Sequence, residues 1–479
     1  MTSSEATPVK HRTVLRLLVL ADLAPGREAG PLAVAGPAGV AAALAELAPE
    51  LTLAVPGAAG AVPRPVSLRF TRLADFQPDA LARALAAPPS TEGGGLDDLL
   101  SQVDLPAGVA AAGVTAVSGN ERLRALEAAW RGVALLAART GPAVRLEILP
   151  ASREDFLGVF WDRVFDVEHE GGVEIPLSAV ILGYEFDRGP ADVDVLRNLG
   201  RMGDSLRVPF LGAVGPAFWG IRQAKLLATL PDLVRRLEGS EYAKWNGLRR
   251  EEAALWLCLA ANRPTVRAAW GEHDQPLHAP GGFALGAVLA QSFTAAGVRL
   301  PLTGPRPPAR LDDLAPTEPV EVLLPDQKAL ELSRVGLAPL VARKGEPGAF
   351  FAGVPTLQIQ KRYDREEASR SAAAVATLSY QVFAGAAAHA LQGIGRDLAG
   401  QPAEVVQQRA EEEMSAFLAT AGAAPAASEA PEVQVPEVQV EIQVPDEAPD
   451  VWEVLARLRP SFPISGAEVD LVLGSIVPR

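Results

Sequence analysis

The sequence predicts an α/β fold, with a mixed sheet core, flanking helices, a small N-terminal α/β unit and a terminal β arm. Three observations carry that prediction. Apolar runs of strand length at 14–20, 144–149, 178–186 and 208–214 alternate with helix-periodic segments, the order expected of a parallel sheet covered on both faces. The 479 residues are 48% hydrophobic and 21% charged, which suits a sizeable packed core. Two low-complexity stretches, APPSTEGGG at 87–95 and AGAAPAASEAP at 421–431, divide the chain. The expected organisation is a small α/β unit at 1–90 and a linker with a short amphipathic helix at 91–118. A core at 119–420 follows, then a segment at 421–479 with linker, β arm and C-terminal elements.

Residues 1–12 read as a tail. The run VLRLLVLADL follows Lys10, His11 and Arg12, as the apolar part of a signal peptide would. Arg16 and Asp22 interrupt it and no small-x-small cleavage site follows, so a buried strand fits better and a cytoplasmic protein is expected. No apolar run reaches the ~20 residues of a spanning helix. Residues 38–47 are helical in pattern, and 51–55 and 66–70 are strands. A helix at 78–85 has Pro78 in its first turn and Asp75 upstream as a cap. In LDDLLSQV, Leu96, Leu99, Leu100 and Val103 share one helical face, and Asp97 and Asp98 favour the helix dipole.

Residues 120–140 hold the strongest helix pattern, with Leu123, Leu126, Trp130, Val133 and Leu136 on one stripe. Helices are expected at 153–166 and 191–204, and the stretch 218–300 reads as mainly helical. A proline-rich loop at 302–319, a strand at 320–324 and helices at 325–336, 368–400 and 402–419 follow. In EVQVPEVQVEIQV, Val433, Val435, Val438, Val440, Ile442 and Val444 alternate with Glu432 and its polar successors around Pro436. That is a strand signature with an edge or bulge at the proline. It reads as a local hairpin or as an inter-subunit arm that completes a neighbour's sheet. A helix at 451–458 and a strand at 469–473 close the chain.

The formal charge of −14 argues against nucleic acid or an anionic membrane as a partner. The lone Cys258 excludes an internal disulfide framework and reads as a small buried hydrophobe. No phosphate-binding loop, dinucleotide fingerprint, HExxH or GxSxG is present. The nearest approach to a metal site is Glu272, His273, Asp274 and His278, whose types can bind zinc or iron, and a metal-dependent α/β enzyme using that loop is the opposing reading. His389 reads as a packed core histidine. Glu251-Glu252 after Arg249-Arg250 reads as an ion-paired solvated helix face. No active site assembles, and neither catalytic residue, metal nor cofactor is expected.

The segment NERLRALEAAWRGVALLAART resembles the hallmark helix of the type VI secretion contractile-sheath large subunit, TssC (VipB). The family core Leu-Glu-x-x-Trp-Arg-Gly stands as Leu126, Glu127, Trp130, Arg131 and Gly132. The resemblance continues in order through AVILGYEF with the following PADVDVL, WNGLRRE, GFALGAVLAQSF, DQKALELSRVGLAPL and LRPSF. The family's Leu-Pro-Arg … Arg-Leu-Pro-Tyr-Gly stretch is replaced by Asn262-Arg263-Pro264 … Arg267-Ala268-Ala269-Trp270-Gly271. The first 90 residues resemble the small subunit, TssB (VipA), through LLVLADLA and RFTRLADFQPDAL, so the chain looks like a fused TssB–TssC-like protein. The resemblance implies a structural subunit, not an enzyme, that polymerises helically around an Hcp-like inner tube from a baseplate and contracts to propel it. It implies a homo-oligomer without nucleic acid or membrane insertion. It makes the 96–103 helix either a handle for the AAA+ unfoldase ClpV (TssH) or a connector. A non-contractile scaffold that keeps the sheath fold is the alternative.

Overall fold

The computed structural model describes residues 14–55, 63–86, 107–171, 173–271, 274–361, 363–422, 436–446 and 448–479. In chain order its strands are β1 (Leu15–Ala21), β2 (Leu32–Ala33), β3 (Glu50–Val55), β4 (Arg64–Arg69), β5 (Val144–Pro150), β6 (Ala179–Phe186), β7 (Phe210–Val214) and β8 (Leu257–Ala261). They continue with β9 (Thr265–Arg267), β10 (Leu277–His278), β11 (Arg310–Leu311), β12 (Leu337–Val341), β13 (Ala349–Phe351), β14 (Glu437–Gln443), β15 (Val451–Arg459) and β16 (Leu471–Pro478). Nine form one sheet in the order β11-β13-β12-β8-β7-β6-β1-β5-β2. The run from β12 to β5 is parallel throughout. At the margins β2 pairs antiparallel with β5, and β13 with β12 and β11.

Side chains alternate across this sheet and so divide the interior into two cores. Leu17, Val19 and Ala21 join Ile181, Leu211 and Ala260 on one face, under helices Glu121–Ala137, Gly281–Ala296 and Leu378–Asp397. Leu18 and Leu20 join Val180, Leu182, Phe210 and Leu259 on the other, under Pro190–Leu206, Ala243–Leu248 and Asp326–Arg334. From Phe283 to Ala290 the Gly281–Ala296 helix is apolar on every side, and there it is buried between the sheet and Glu121–Ala137. By length and composition Gly281–Arg299 could cross a membrane, yet 72% of its apolar window is buried in this chain. Gly282 lets it rest on the strands, since a Cβ there would lie 2.8 Å from the Leu182 carbonyl oxygen and 2.9 Å from that of Leu211.

Several sequence expectations are corrected. β1 lies between β5 and β6, so residues 15–21 supply an interior strand of the main sheet and not a strand of a separate small unit. The reason is in LRLLVLA: apart from Arg16, which pairs with Glu147 and Glu168, both alternations are apolar, and only an interior position covers both. The β3–β4 hairpin and the Pro78–Ala86 helix remain as a local α/β annex. The carboxylate of Asp75 accepts from the Thr71 and Arg72 backbone N–H groups, bracing a short 3₁₀ turn in place of capping the following helix. The expected 153–166 helix contains a π segment, Trp161–Phe165. The 218–300 stretch contains β8, β9 and β10, and Cys258 is a strand residue. At 320–324 no strand forms beyond a bridge from Pro264 to Val320. The Asn262 amide replaces the ladder there, donating to the Val322 oxygen (2.8 Å) and accepting from its N–H (3.1 Å). The 368–400 helix is two helices, Glu366–Val375 and Leu378–Asp397, the second capped by Thr377. Residues 451–458 are strand β15, not a helix.

Candidate assembly surfaces

The Glu121–Ala137 helix is an internal beam. Asn120 caps it, accepting from the Arg122 and Leu123 N–H groups. Trp130 is fully buried, and its indole N–H donates to the Leu23 carbonyl (3.0 Å), tying the helix to the N-terminal strand's exit. Gly132 faces the Phe283 ring, whose atoms lie 2.5–2.8 Å from where a Cβ would stand. Glu127 is 3% exposed and accepts from Arg131 Nε (2.6 Å) and Arg267 Nε (3.0 Å). Arg267 reaches on to Asp274 (2.5 Å), which also accepts from Arg124 (3.3 Å) and the Trp270 N–H (3.0 Å). The Arg267 guanidinium lies 3.6 Å from the Trp270 ring centroid. Burial would raise the Asp274 carboxyl's pKa, but the Arg267 and Trp270 hydrogen bonds hold it below the usual carboxylate range. Leu126, Glu127, Trp130, Arg131 and Gly132 are thus brought together by packing, and the Arg267–Gly271 stretch that departs from the family pattern braces them.

The metal-enzyme reading finds little here. Glu272 and His273 lie outside the described residues, and Asp274 is committed to arginines. His278 Nδ1 stands 3.1 Å from Thr265 Oγ1, and burial, then Arg263 and Arg124, push its pKa down to about 4. Among the described residues no group of three His, Cys, Asp or Glu could hold an ion. Cys258 is fully buried, which raises its pKa and keeps it a thiol. His389 is partly buried, and its Nε2 lies 2.8 Å from the Leu206 oxygen. The 249–252 pattern is split: Arg249 is buried and donates to the Leu357 oxygen (3.0 Å), while Glu251 pairs outward with Arg197 (2.8 Å).

The C-terminal strands form their own antiparallel sheet, β14-β15-β16. Val440, Val454, Ala456, Leu458 and Val477 face inward, toward helices Leu378–Asp397 and Ala403–Gly422. Val438 and Ile442 pack beside them, whereas Glu437, Gln439, Glu441, Gln443 and Val444 are exposed. Glu432, Val433 and Val435 lie outside the described residues, as do Leu96, Leu99, Leu100 and Val103 of the amphipathic helix. β14 pairs with β15 in this chain, and among the described residues no strand pairs with its other edge. The backbone of Val440 turns to that open edge, where its oxygen accepts from Gln407 Nε2 (2.9 Å) and its N–H donates to Glu411 (3.4 Å). Two helix side chains thus occupy part of the row that an added strand would pair with. β15 was missed as a strand; the period-two set Trp452, Val454, Ala456 and Leu458 is the signal that could have found it.

The model for the EvpB/VC_A0108 (VipB) tail sheath N-terminal domain matches residues 109–280. The chain is 25% identical over 406 residues to the type VI secretion system sheath protein TssC1 of Pseudomonas aeruginosa, covering 74% of this chain and 80% of that one. Among solved structures it is similar to a chain of the anti-feeding prophage baseplate, with a TM-score of 0.46 and 10% identity over 100% of this chain and 96% of the other. It is also similar to a chain of that prophage's contracted helical sheath, with a TM-score of 0.46 and 11% identity over 98% and 90%. A third similarity is to a contracted sheath complex of an extracellular contractile injection system, PVC, with a TM-score of 0.41 and 11% identity over 74% and 77%.

Proposed function

We propose that this chain is a structural subunit of a type VI secretion contractile sheath, of the large-subunit kind with a small-subunit-like strand built into its N-terminal part. The observation that carries this is the tail-sheath match over 109–280, the span that includes the hallmark helix, together with the TssC1 relative. A sheath subunit works without a catalytic residue. It needs surfaces that repeat head to tail without closing, which generate a helical tube. It needs two packings close in energy, so that contraction is a bistable rearrangement of interfaces. In this reading the arm from Glu432 to Val444 supplies the first demand by completing a sheet in a neighbouring subunit with main-chain hydrogen bonds, while within its own chain Glu437–Gln443 pairs with β15. The inner tube is an Hcp-like protein, the polymer starts at a baseplate in the cytoplasm, and the 96–103 helix is the handle for a ClpV-like unfoldase.

Deleting residues 430–444 from the full chain tests the arm. The expected outcome is a folded core by circular dichroism with no polymers in negative-stain micrographs. Tubes of normal appearance from the deletion would sink the arm as the joining element. Wild-type protein that forms no tubes at any salt concentration would sink the sheath reading itself.

A further inference from the structure

The negative charge is not spread evenly. Residues 401–479 hold 14 Asp+Glu and four Lys+Arg, so about a sixth of the chain carries −10 of the total −14. On the folded protein four of these carboxylates stand at one end of the C-terminal sheet. Glu441 is exposed on β14, and Asp446 and Asp450 are exposed in the turn that leads to β15. Glu404 is exposed on the adjoining helix, which the Trp452 indole N–H ties to this end through the Gln401 oxygen (3.2 Å). None of these four carboxylates forms an ion pair among the described residues. The local cation Arg479 is engaged by the Pro449 oxygen (2.7 Å) and by the Trp452 ring.

The complementary surface lies on the other core. Residues 222–250 contain seven cations against three carboxylates. Arg222, Lys225, Arg235 and Lys244 are exposed and make no ion pair among the described residues, beside the exposed Leu226 and Val234. Leu227, Leu233, Leu237 and Trp245 anchor this segment in the core under Pro190–Leu206, whereas Val440, Val454 and Leu458 anchor the acidic unit in the core on the opposite face of the main sheet. One chain therefore displays two unpartnered, opposite charges on two sides of its own sheet.

We propose that the acidic end of the C-terminal sheet docks on the 222–250 basic face of a second copy of this chain. The inference rests on the sheath reading and deepens it by naming a head-to-tail interface. Opposite faces of successive copies meet, so the contact is heterologous and repeats without closing. Exposed pairs of this kind steer association and fix register, and salt screens them over about 8 Å at physiological ionic strength.

The test uses the full-length protein, with polymer measured by sedimentation and negative stain. One variant carries Arg222→Glu, Lys225→Glu and Arg235→Glu; the other carries Glu441→Lys, Asp446→Lys and Asp450→Lys. Each alone meets like charge with like and should lose at least about tenfold of its pelletable polymer near physiological salt. Mixing the two restores both complementary contacts and should recover polymer of alternating subunits, which a mere folding defect would not do. Normal polymer from either variant, or a mixture that stays depolymerised while each component keeps its wild-type circular dichroism, would overturn the interface while leaving the sheath reading intact. Wild-type protein that never polymerises would overturn both.

Discussion

Gly132→Ala should destabilise this protein, although alanine is ordinarily the better helix former. In a helix interior the exchange is worth about 0.8–1.0 kcal/mol in favour of alanine. Here the new Cβ would lie 2.5, 2.5 and 2.8 Å from three carbons of the Phe283 ring. The ring is fully buried, and its far end fills the space a Cβ on Gly183 of β6 would need, standing 3.1 Å from that position. It occupies a slot between two glycines, one on the Glu121–Ala137 helix and one on the central sheet. Overpacking costs about 1–3 kcal/mol, and three ring carbons inside contact distance argue for the upper end. Subtracting the propensity gain leaves a net loss of about 2 kcal/mol. Urea unfolding followed by tryptophan fluorescence reads it as a lower midpoint at unchanged slope. Phe283→Leu should cost about 1 kcal/mol alone, and in its background Gly132→Ala should turn neutral or stabilising, a coupling of about 2 kcal/mol. A raised midpoint for Gly132→Ala alone, or the same loss in both backgrounds, would refute the slot.

Glu127→Gln leaves Arg267, whose side chain is 5% exposed, short of a counter-charge, and should cost about 3 kcal/mol in the same assay. The figure is at the low end because Asp274 still holds the guanidinium, and a loss under about 0.5 kcal/mol would mean that the pair contributes nothing net. His278, pushed down to about 4, binds its proton more weakly folded than unfolded. The unfolded chain therefore takes up more protons between the unfolded value and about 4, and stability falls as pH drops through that window. Wild type should lose roughly 2 kcal/mol more than His278→Gln over that range, after solvent screening of the partly buried ring; parallel pH profiles of the two would remove His278 from the account.

Much of the candidate site was legible because its signals are local. The stripe from Leu123 to Leu136 and the apolar runs of β5, β6 and β7 each report burial through spacing alone. What failed were segments compatible with two periods. In VWEVLARLR, Val451, Val454, Leu455 and Leu458 fit a helical stripe, while Trp452, Val454, Ala456 and Leu458 fit an alternating strand. The pairing of β15 with β14 and β16 decides for the strand, and those partners lie in other parts of the chain. The 320–324 run went the other way: the Asn262 side chain takes both backbone hydrogen bonds of Val322, and only the Pro264–Val320 bridge forms.

The sequence by itself determined an α/β core, the helix that runs through it, the two low-complexity breaks and the uneven charge, since periodicity and composition depend only on near neighbours. The tertiary structure alone decided that residues 15–21 sit between β5 and β6, that Gly132 and Gly183 flank one phenylalanine, and that the acidic and basic ends occupy opposite sides of the sheet. Each of those depends on strand order across more than 100 residues, and strand order is set by which buried faces fit together, a long-range fit that no local spacing records.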